Sequence, residues 1–392
     1  MAGIYLHIPF CQRRCIYCDF YSTAGLHRQQ AYTDALCYEL EIRKDDLPSS
    51  VIDTVYIGGG TPSLLPVELL SQIFHQLSQI YTLSTAAEIT LECNPDDISV
   101  SWLEQIRELP VNRLSLGIQT FNEEQLSFLR RRHTGQQARQ AVALCQKAGF
   151  TNISIDLIYG LPGQDPAQWQ EDIDRALELQ VQHISAYALI YEKGTPLWQL
   201  KEQGLIKEVE EETSLTLFNM LIDNLEKGGF EHYEISNFAR PGYESRHNSS
   251  YWKEAEYIGC GPSAHSFDGK CRRWNTADLS NYIAAMHAIK EGEKPASPWF
   301  AYEELNRNEH YNDRIITSLR TCWGLDMHKL HQDFGDTVFQ YCRKMAESHL
   351  QQGTLQFIPP SVTAPEGILK LTRQGIFVSD NIMSDLLLVD GD

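Results

Sequence analysis

The sequence predicts an α/β fold, an open, partial (β/α)6 barrel followed by a C-terminal, mostly helical, winged-helix-like domain. Three observations carry this expectation. Short β-branched runs alternate with helix-period stretches through the first two-thirds of the chain. Glycine and turn motifs follow those runs one after another. Beyond about residue 300 helical patterns dominate, interrupted by two short strand-like segments around Pro359-Pro360. The expected divisions are 1–230 for the barrel, 231–300 for a barrel extension and 301–392 for the C-terminal domain.

Strands are expected at 3–8, 54–58, 88–93, 113–118, 152–158 and 183–189. Helices are expected between them at 29–44, 66–80, 99–108, 135–148 and 166–180, and a further one at 209–227 ends at Gly228-Gly229. Strands alternating with helices of this length build a parallel sheet through right-handed crossovers, and six units fall short of a closed eightfold barrel. Residues 230–300 are rich in Gly, Tyr and Trp and read as irregular, apart from a helix at 279–290. The last domain shows helical stretches at 302–320, 325–333 and 337–352, a two-stranded wing from 354–358 and 368–371, and a final helix.

Composition narrows the function. With 42% hydrophobic and 22% charged residues the 392-residue chain is ordinary globular protein. A formal charge of −19 disfavours a nucleic-acid or anionic-membrane surface. The C-terminal domain carries no basic stripe, so no nucleic-acid partner is expected. No apolar run reaches the roughly 18 residues of a membrane span, and the start of the chain lacks a basic segment followed by an apolar one. Ten cysteines are too few for a disulfide scaffold, and a cytoplasmic protein is expected.

Seven of those cysteines, Cys37, Cys93, Cys145, Cys260, Cys271, Cys322 and Cys342, are scattered and read as small buried hydrophobes. Cys11, Cys15 and Cys18 are different. Three thiols within eight residues call for a metal. Structural zinc wants four closed ligands, and no second pair follows. Three thiolates suit a [4Fe-4S] cluster that leaves one iron open for an outside ligand. Zinc and redox-active thiols stay as alternatives on residue type alone.

Active sites of parallel α/β sheets sit at the carboxyl ends of the strands. The Cys triplet follows strand one, and Gly58-Gly59-Gly60-Thr61-Pro62 follows strand two. Glu92 lies near the end of strand three, Gln119 at the end of strand four, and Asp156 on strand five. All five features fall on one rim. Three residues without a Cβ let backbone approach a ligand closely. Glu92 and Asp156 are carboxylates in apolar strands and need a cationic or hydroxyl partner, either a ligand or an arginine such as Arg113 or Arg131. One arginine of the Arg130-Arg131-Arg132 run is expected to reach a ligand carboxylate. His247-Asn248-x-x-Tyr251-Trp252 concentrates an imidazole, an amide and two aromatics in an apparently irregular stretch, either a macrocycle pocket or a packed corner.

Tyr5-Leu6-His7-Ile8-Pro9-Phe10-Cys11, continuing through Cys15 and Cys18, resembles the radical S-adenosylmethionine superfamily. More narrowly, with Gly59-Gly60-Thr61-Pro62, the Glu92 strand, Gly117-Ile118-Gln119 and Asp156-Leu157-Ile158-Tyr159-Gly160-Leu161-Pro162, the whole chain resembles the oxygen-independent coproporphyrinogen III oxidase family. The oxidase branch has a Cys two residues after the third cluster Cys, where this chain has Phe20, and a longer segment before the cluster. Phe20 and the 247–252 signature are closest to the heme chaperone branch, HemW. Cys260 departs from that pattern and is assigned no role.

The resemblance implies a radical SAM barrel in which Cys11, Cys15 and Cys18 ligate the [4Fe-4S] cluster. It assigns Tyr5, Gly59, Gly60, Thr61, Glu92, Gln119, Arg131 and Asp156 to S-adenosylmethionine, and His247, Asn248, Tyr251 and Trp252 to heme. It implies a heme chaperone serving respiratory, membrane-associated hemoproteins. The alternative is a radical enzyme acting on a porphyrin, as coproporphyrinogen III dehydrogenase or in heme breakdown.

Overall fold

The computed structural model describes residues 2–47 and 49–389. The readings made at Met1 and over 390–392 therefore lie outside the described residues.

The first two-thirds alternate strand and helix in the expected order. These elements are β1 (Gly3–Ile8), α1 (Gln29–Ile42), β2 (Val51–Gly59), α2 (Val67–Ile80), β3 (Thr82–Cys93), α3 (Val100–Ile106), β4 (Arg113–Gln119), α4 (Glu123–Phe128), α5 (Gly135–Lys147), β5 (Ile153–Tyr159), α6 (Pro166–Glu178), β6 (His183–Ala188), α7 (Pro196–Glu202) and α8 (Glu211–Lys227). Strands β1 to β6 pair in sequence and in parallel. Short α4 and α7 were not foreseen; each is started by a side-chain cap, Asn122 and Thr195.

The strands alternate although both faces are covered. Ile4, Leu6 and Ile8, Val55 and Ile57, Leu114 and Leu116, and Ile153 and Ile155 are fully buried. The opposite face carries Tyr5, His7, Tyr56, Thr90, Glu92, Arg113, Ser115, Ser154, Asp156, His183 and Ser185. A sheet buried on both sides normally reads as a continuous apolar run. The inner face of this barrel is polar.

Residues 231–300 are not irregular. They form β7 (Glu231–Glu234), β8 (Asn237–Ala239), α9 (Arg246–Trp252), β9 (Tyr257–Cys260), β10 (His265–Phe267), β11 (Cys271–Asn275) and α10 (Leu279–Lys290), with β12 (Phe300–Glu304) after them. Strands of three to five residues are too short to display a period, which is why the sequence hid them. β9 runs parallel to β1 on its free side, Leu6 opposite Cys260, and β10 and β11 continue antiparallel. The sheet order is β12-β11-β10-β9-β1-β2-β3-β4-β5-β6-β8-β7. Buried Glu39 of α1 fastens this extension. It accepts hydrogen bonds from Gly261 N, Asn275 Nδ2 and the Tyr282 hydroxyl and pairs with Arg43, which donates to the Gly259 carbonyl. A buried ion pair holds when every remaining donor and acceptor is met in this way.

The chain divides into two compact units, Met1–Glu231 with Phe238–His247 and Glu256–Glu303, and His232–Asn237 with Asn248–Ala255 and Glu304–Asp392. The second unit holds α11 (Arg307–Leu319), β13 (Leu325–Asp326), α12 (Met327–Gln352), β14 (Leu355–Ile358), β15 (Ile368–Leu371), α13 (Arg373–Phe377) and α14 (Ser379–Leu386). The helix expected from 302 starts only at Arg307, because Asn306 and Glu309 form a capping box there. Leu325-Asp326 pair with Leu369 and Ile368, so the wing has three strands, β13-β15-β14, and not two. The two helices expected over 325–352 are segments of α12 broken at Gly335 (φ 74°, ψ 175°). Tyr311, Ile315, Leu330, Cys342, Leu369 and Leu386 form its core.

Of the seven scattered cysteines five are buried, Cys271 is half-buried and Cys322 is exposed, which corrects the uniform expectation. Cys11, Cys15, Cys18, Cys37, Cys93, Cys145, Cys260 and Cys342 are free thiols. Among the described residues no helix is long and apolar enough to cross a membrane.

Candidate functional site: the barrel mouth

The loop after β1 is tied at its base. Pro9 cannot continue the ladder, the Thr23 amide donates to the Pro9 carbonyl (2.7 Å), and the Cys11 amide donates to Thr23 (3.0 Å). Its middle is anchored by Ile16, which is 2% exposed, and by Tyr17, which packs on Leu129, Ile158 and Leu161. Cys11, Cys15 and Cys18 thus stand half-exposed on a fixed loop. Burial pushes the Cys18 thiol up to about 11, and the neighbouring Cys15 and Cys11 add to the rise. Arg131 Nη1 donates to the Cys15 sulfur (3.3 Å) and the Thr61 hydroxyl to the Cys11 sulfur (3.5 Å).

Among the described residues no three His, Cys, Asp or Glu side chains converge on a single-ion position, so the fit of the triplet is judged on its donor set. Three free thiols on one loop, with a guanidinium and a hydroxyl aimed at two sulfurs, fit a thiolate-ligated iron–sulfur cluster. Hydrogen bonds to its sulfurs are the protein's lever on such a group.

The strand-end residues come together as the sequence reading expected. Gly59 has φ +110°, and a Cβ there would lie 2.8 Å from the His7 ring; one on Gly60 would lie 2.7 Å from the Phe10 carbonyl oxygen. Glu92 is held from below, accepting from the Tyr56 hydroxyl (2.7 Å) and the Gly59 amide (3.2 Å). Burial pushes the Glu92 carboxyl up to about 7 and that of Asp156 up to about 6. Hydrogen bonds from Ser185 and Ser115 and the charge of Arg113 oppose the rise at Asp156. Gln119 sits at φ 73°, where the ladder shifts register between Gly117 and Gln119. Such a bulge re-aims a side chain at the end of a strand.

The arginine run separates as expected. Arg130 is exposed, Arg132 pairs with Asp96 (3.0 Å) and Asp97 (2.9 Å), and Arg131 alone enters the site. Sequence reasoning missed Tyr56, Ser115, Ser185 and Asn94. Tyr56 lies two residues before Gly58 and Ser115 two after Arg113, so the period of two that marks an inner face was the signal available.

The 247–252 segment is a helix, α9, and not an irregular stretch. His247 belongs to the first unit and Asn248, Tyr251 and Trp252 to the second. His247 is 1% exposed. It lies against the starts of β1 and β2, the ends opposite the cysteines, with Nδ1 2.9 Å from the Thr54 hydroxyl and its ring stacked on Tyr56 (5.2 Å, 28°). In the second unit Arg320 lies over the Trp252 ring at 5.0 Å.

A parallel half-barrel with three loop cysteines after its first strand and a polar mouth defines a radical SAM protein. The Radical SAM superfamily profile matches residues 5–176 and the HemN C-terminal domain profile residues 305–378. The protein called heme chaperone HemW in Lactococcus lactis subsp. lactis is 35% identical over 334 residues, 84% of each chain. The protein of that name in Bacillus subtilis is 31% identical over 392 residues, 99% of each. The chain belongs to the HemW branch of the HemN-like radical SAM family. Its fold is also that of coproporphyrinogen III oxidase (HemN) from Escherichia coli, with a TM-score of 0.81 and 24% identity over 98% of this chain and 89% of that one.

Proposed function

We propose that the chain is a heme chaperone, which binds heme as cargo and passes it to acceptor hemoproteins of respiratory membranes from the cytoplasmic side. Cys11, Cys15 and Cys18 would hold the [4Fe-4S] cluster, and the family supplies that cluster and S-adenosylmethionine. When bound, the cluster supplies one-electron chemistry and an open iron for the amino and carboxylate groups of the nucleoside. The chain's own residues do the rest. Gly59 and Gly60 admit the methionine end to the backbone, and Glu92 accepts from its amino group. Asp156, held by Ser115 and Ser185, suits the ribose hydroxyls; Tyr5, Thr61, Gln119 and Arg131 complete the wall.

The observation that carries the chaperone reading over the enzyme is the relatives' common name across nearly their full lengths. Phe20, 64% exposed where the oxidase branch has a fourth cysteine, agrees with it. The test is anaerobic reconstitution followed by parallel titration with heme and with coproporphyrinogen III in the presence of reductant and S-adenosylmethionine. Stoichiometric heme binding without protoporphyrinogen is expected; protoporphyrinogen formation overturns the reading.

A further inference from the structure

The inner face of the barrel joins its two ends through side chains. His247 closes the end away from the cysteines. Its backbone amide and that of Arg246 donate to the two oxygens of the Glu88 carboxylate (2.9 and 3.0 Å), which fixes the start of α9. The Thr54 hydroxyl fixes the imidazole at Nδ1. A Cβ on Gly3 would come within 3.5 Å of the same ring, so β1 leaves room for it. Tyr56 stacks on His247 (5.2 Å, 28°) and on Tyr5 (6.2 Å, 30°), Tyr5 and His247 themselves lie 6.5 Å apart in a three-ring cluster, and the Tyr56 hydroxyl reaches Glu92. A stacked ring in a close-packed interior has one position available, and a shift at its base displaces the hydroxyl at its tip.

We propose that His247 is a positioning residue for the nucleoside site, holding Tyr56 so that its hydroxyl stays on Glu92 and keeps that carboxyl aimed into the barrel mouth. This rests on Glu92 being an S-adenosylmethionine contact. The groups that face Glu92 are Tyr5 on β1, Tyr56 and the Gly59 amide on β2, Arg113 on β4 and Asp156 on β5. Of these the Tyr56 hydroxyl and the Gly59 amide donate to it directly, and both favour the carboxylate. The tyrosine is the only one of the two whose position a ring at the far end of the barrel can set.

The test is the dissociation constant of S-adenosylmethionine for the anaerobically reconstituted full-length protein between pH 6 and 8.5. Tyr56→Phe should weaken binding about tenfold at pH 7 and move the midpoint of its acid loss to higher pH. His247→Ala should do the same to a smaller extent, about fivefold. The double variant should be no weaker than Tyr56→Phe alone, because both act through one hydroxyl. Thr54→Val, which keeps the volume and removes only the imidazole's anchor, should shift the midpoint in the same direction and serves if His247→Ala does not fold. In a Glu92→Gln background none of these should move it. Unchanged affinity and midpoint in His247→Ala, or in Thr54→Val, overturn the proposal while wild-type binding stands. Failure of the wild-type protein to bind the nucleoside overturns the site reading beneath it, and the proposal with it.

Discussion

Arg131 Nη1 donates to the Cys15 sulfur at 3.3 Å, while its Nη2 donates to Asn94 Oδ1 at 2.6 Å and to the Gly117 carbonyl. One guanidinium thus links the cysteine loop to the ends of β3 and β4. It is half-buried, and nearby Tyr17, Cys15 and Asp96 help to offset the cost of its charge there.

Replacing Arg131 by Met should leave iron and sulfide content intact, since the three thiols remain. It removes a charge-assisted hydrogen bond worth roughly 1.5–3 kcal/mol, which favours the more negative, reduced cluster. The cluster potential should therefore fall by roughly tens of millivolts. A redox titration followed by electron paramagnetic resonance reads this, and an unshifted potential would remove Arg131 from the cluster's surroundings.

The barrel carboxyls give the unliganded protein a pH dependence of definite sign. Glu92 at about 7 and Asp156 at about 6 both lie above the ordinary carboxylate range, so the folded chain holds these protons more tightly than the unfolded one. That stabilisation is fully present below about pH 4 and is lost as pH rises through 6 and 7. The melting temperature of the unliganded protein should fall between pH 5 and 8. Glu92→Gln should abolish a share of the fall equivalent to roughly 3 kcal/mol. Nucleoside affinity should run the other way, rising as the carboxylates form. Parallel melting curves for wild type and variant across that range would refute the assignment.

Gly60 tests the close approach at the barrel mouth. An added Cβ would stand 2.7 Å from the Phe10 carbonyl oxygen and 3.0 Å from that of Ile8. Both are backbone atoms at the root of the cysteine loop and cannot swing aside. Gly60→Ala should cost roughly 1–3 kcal/mol and lower cluster occupancy. Alanine at Gly163, where nothing lies within 4 Å, meets only the strain of φ +75° and should leave the cluster untouched. Equal iron content in the two variants would show that the loop accommodates the methyl group.

Much of the barrel was legible because its signals are long. Helices of 13 to 17 residues in α1, α2, α5, α6 and α8 carry several turns of apolar period, and their edges fell within two residues of the expected ones. The strand-end motifs were legible because three adjacent glycines, and carboxylates in apolar strands, are residue types that a bare turn does not need. What failed was short or set by distant partners. β9 exists because β1 offers it an unpaired edge, and β13 because β15 does. Neither is written in its own four or two residues. Tyr56 reads as an ordinary strand aromatic until the fold places Glu92 beneath its hydroxyl.

The 247–252 signature shows the same limit from the other side, and it yields the last prediction. Residue types there suggested a heme-iron ligand, but an iron centre needs an imidazole nitrogen that a macrocycle can reach. The His247 ring is 1% exposed, with Nδ1 engaged by Thr54 and one face covered by Tyr56. Burial holds it neutral, its value lowered to about 3, so the imidazole's reach for an iron turns on access and not on protonation. His247→Ala should therefore leave the Soret maximum and heme affinity within about twofold of wild type while S-adenosylmethionine binding weakens. A variant with normal nucleoside affinity, a displaced Soret band and lost heme binding would instead put this imidazole on the iron.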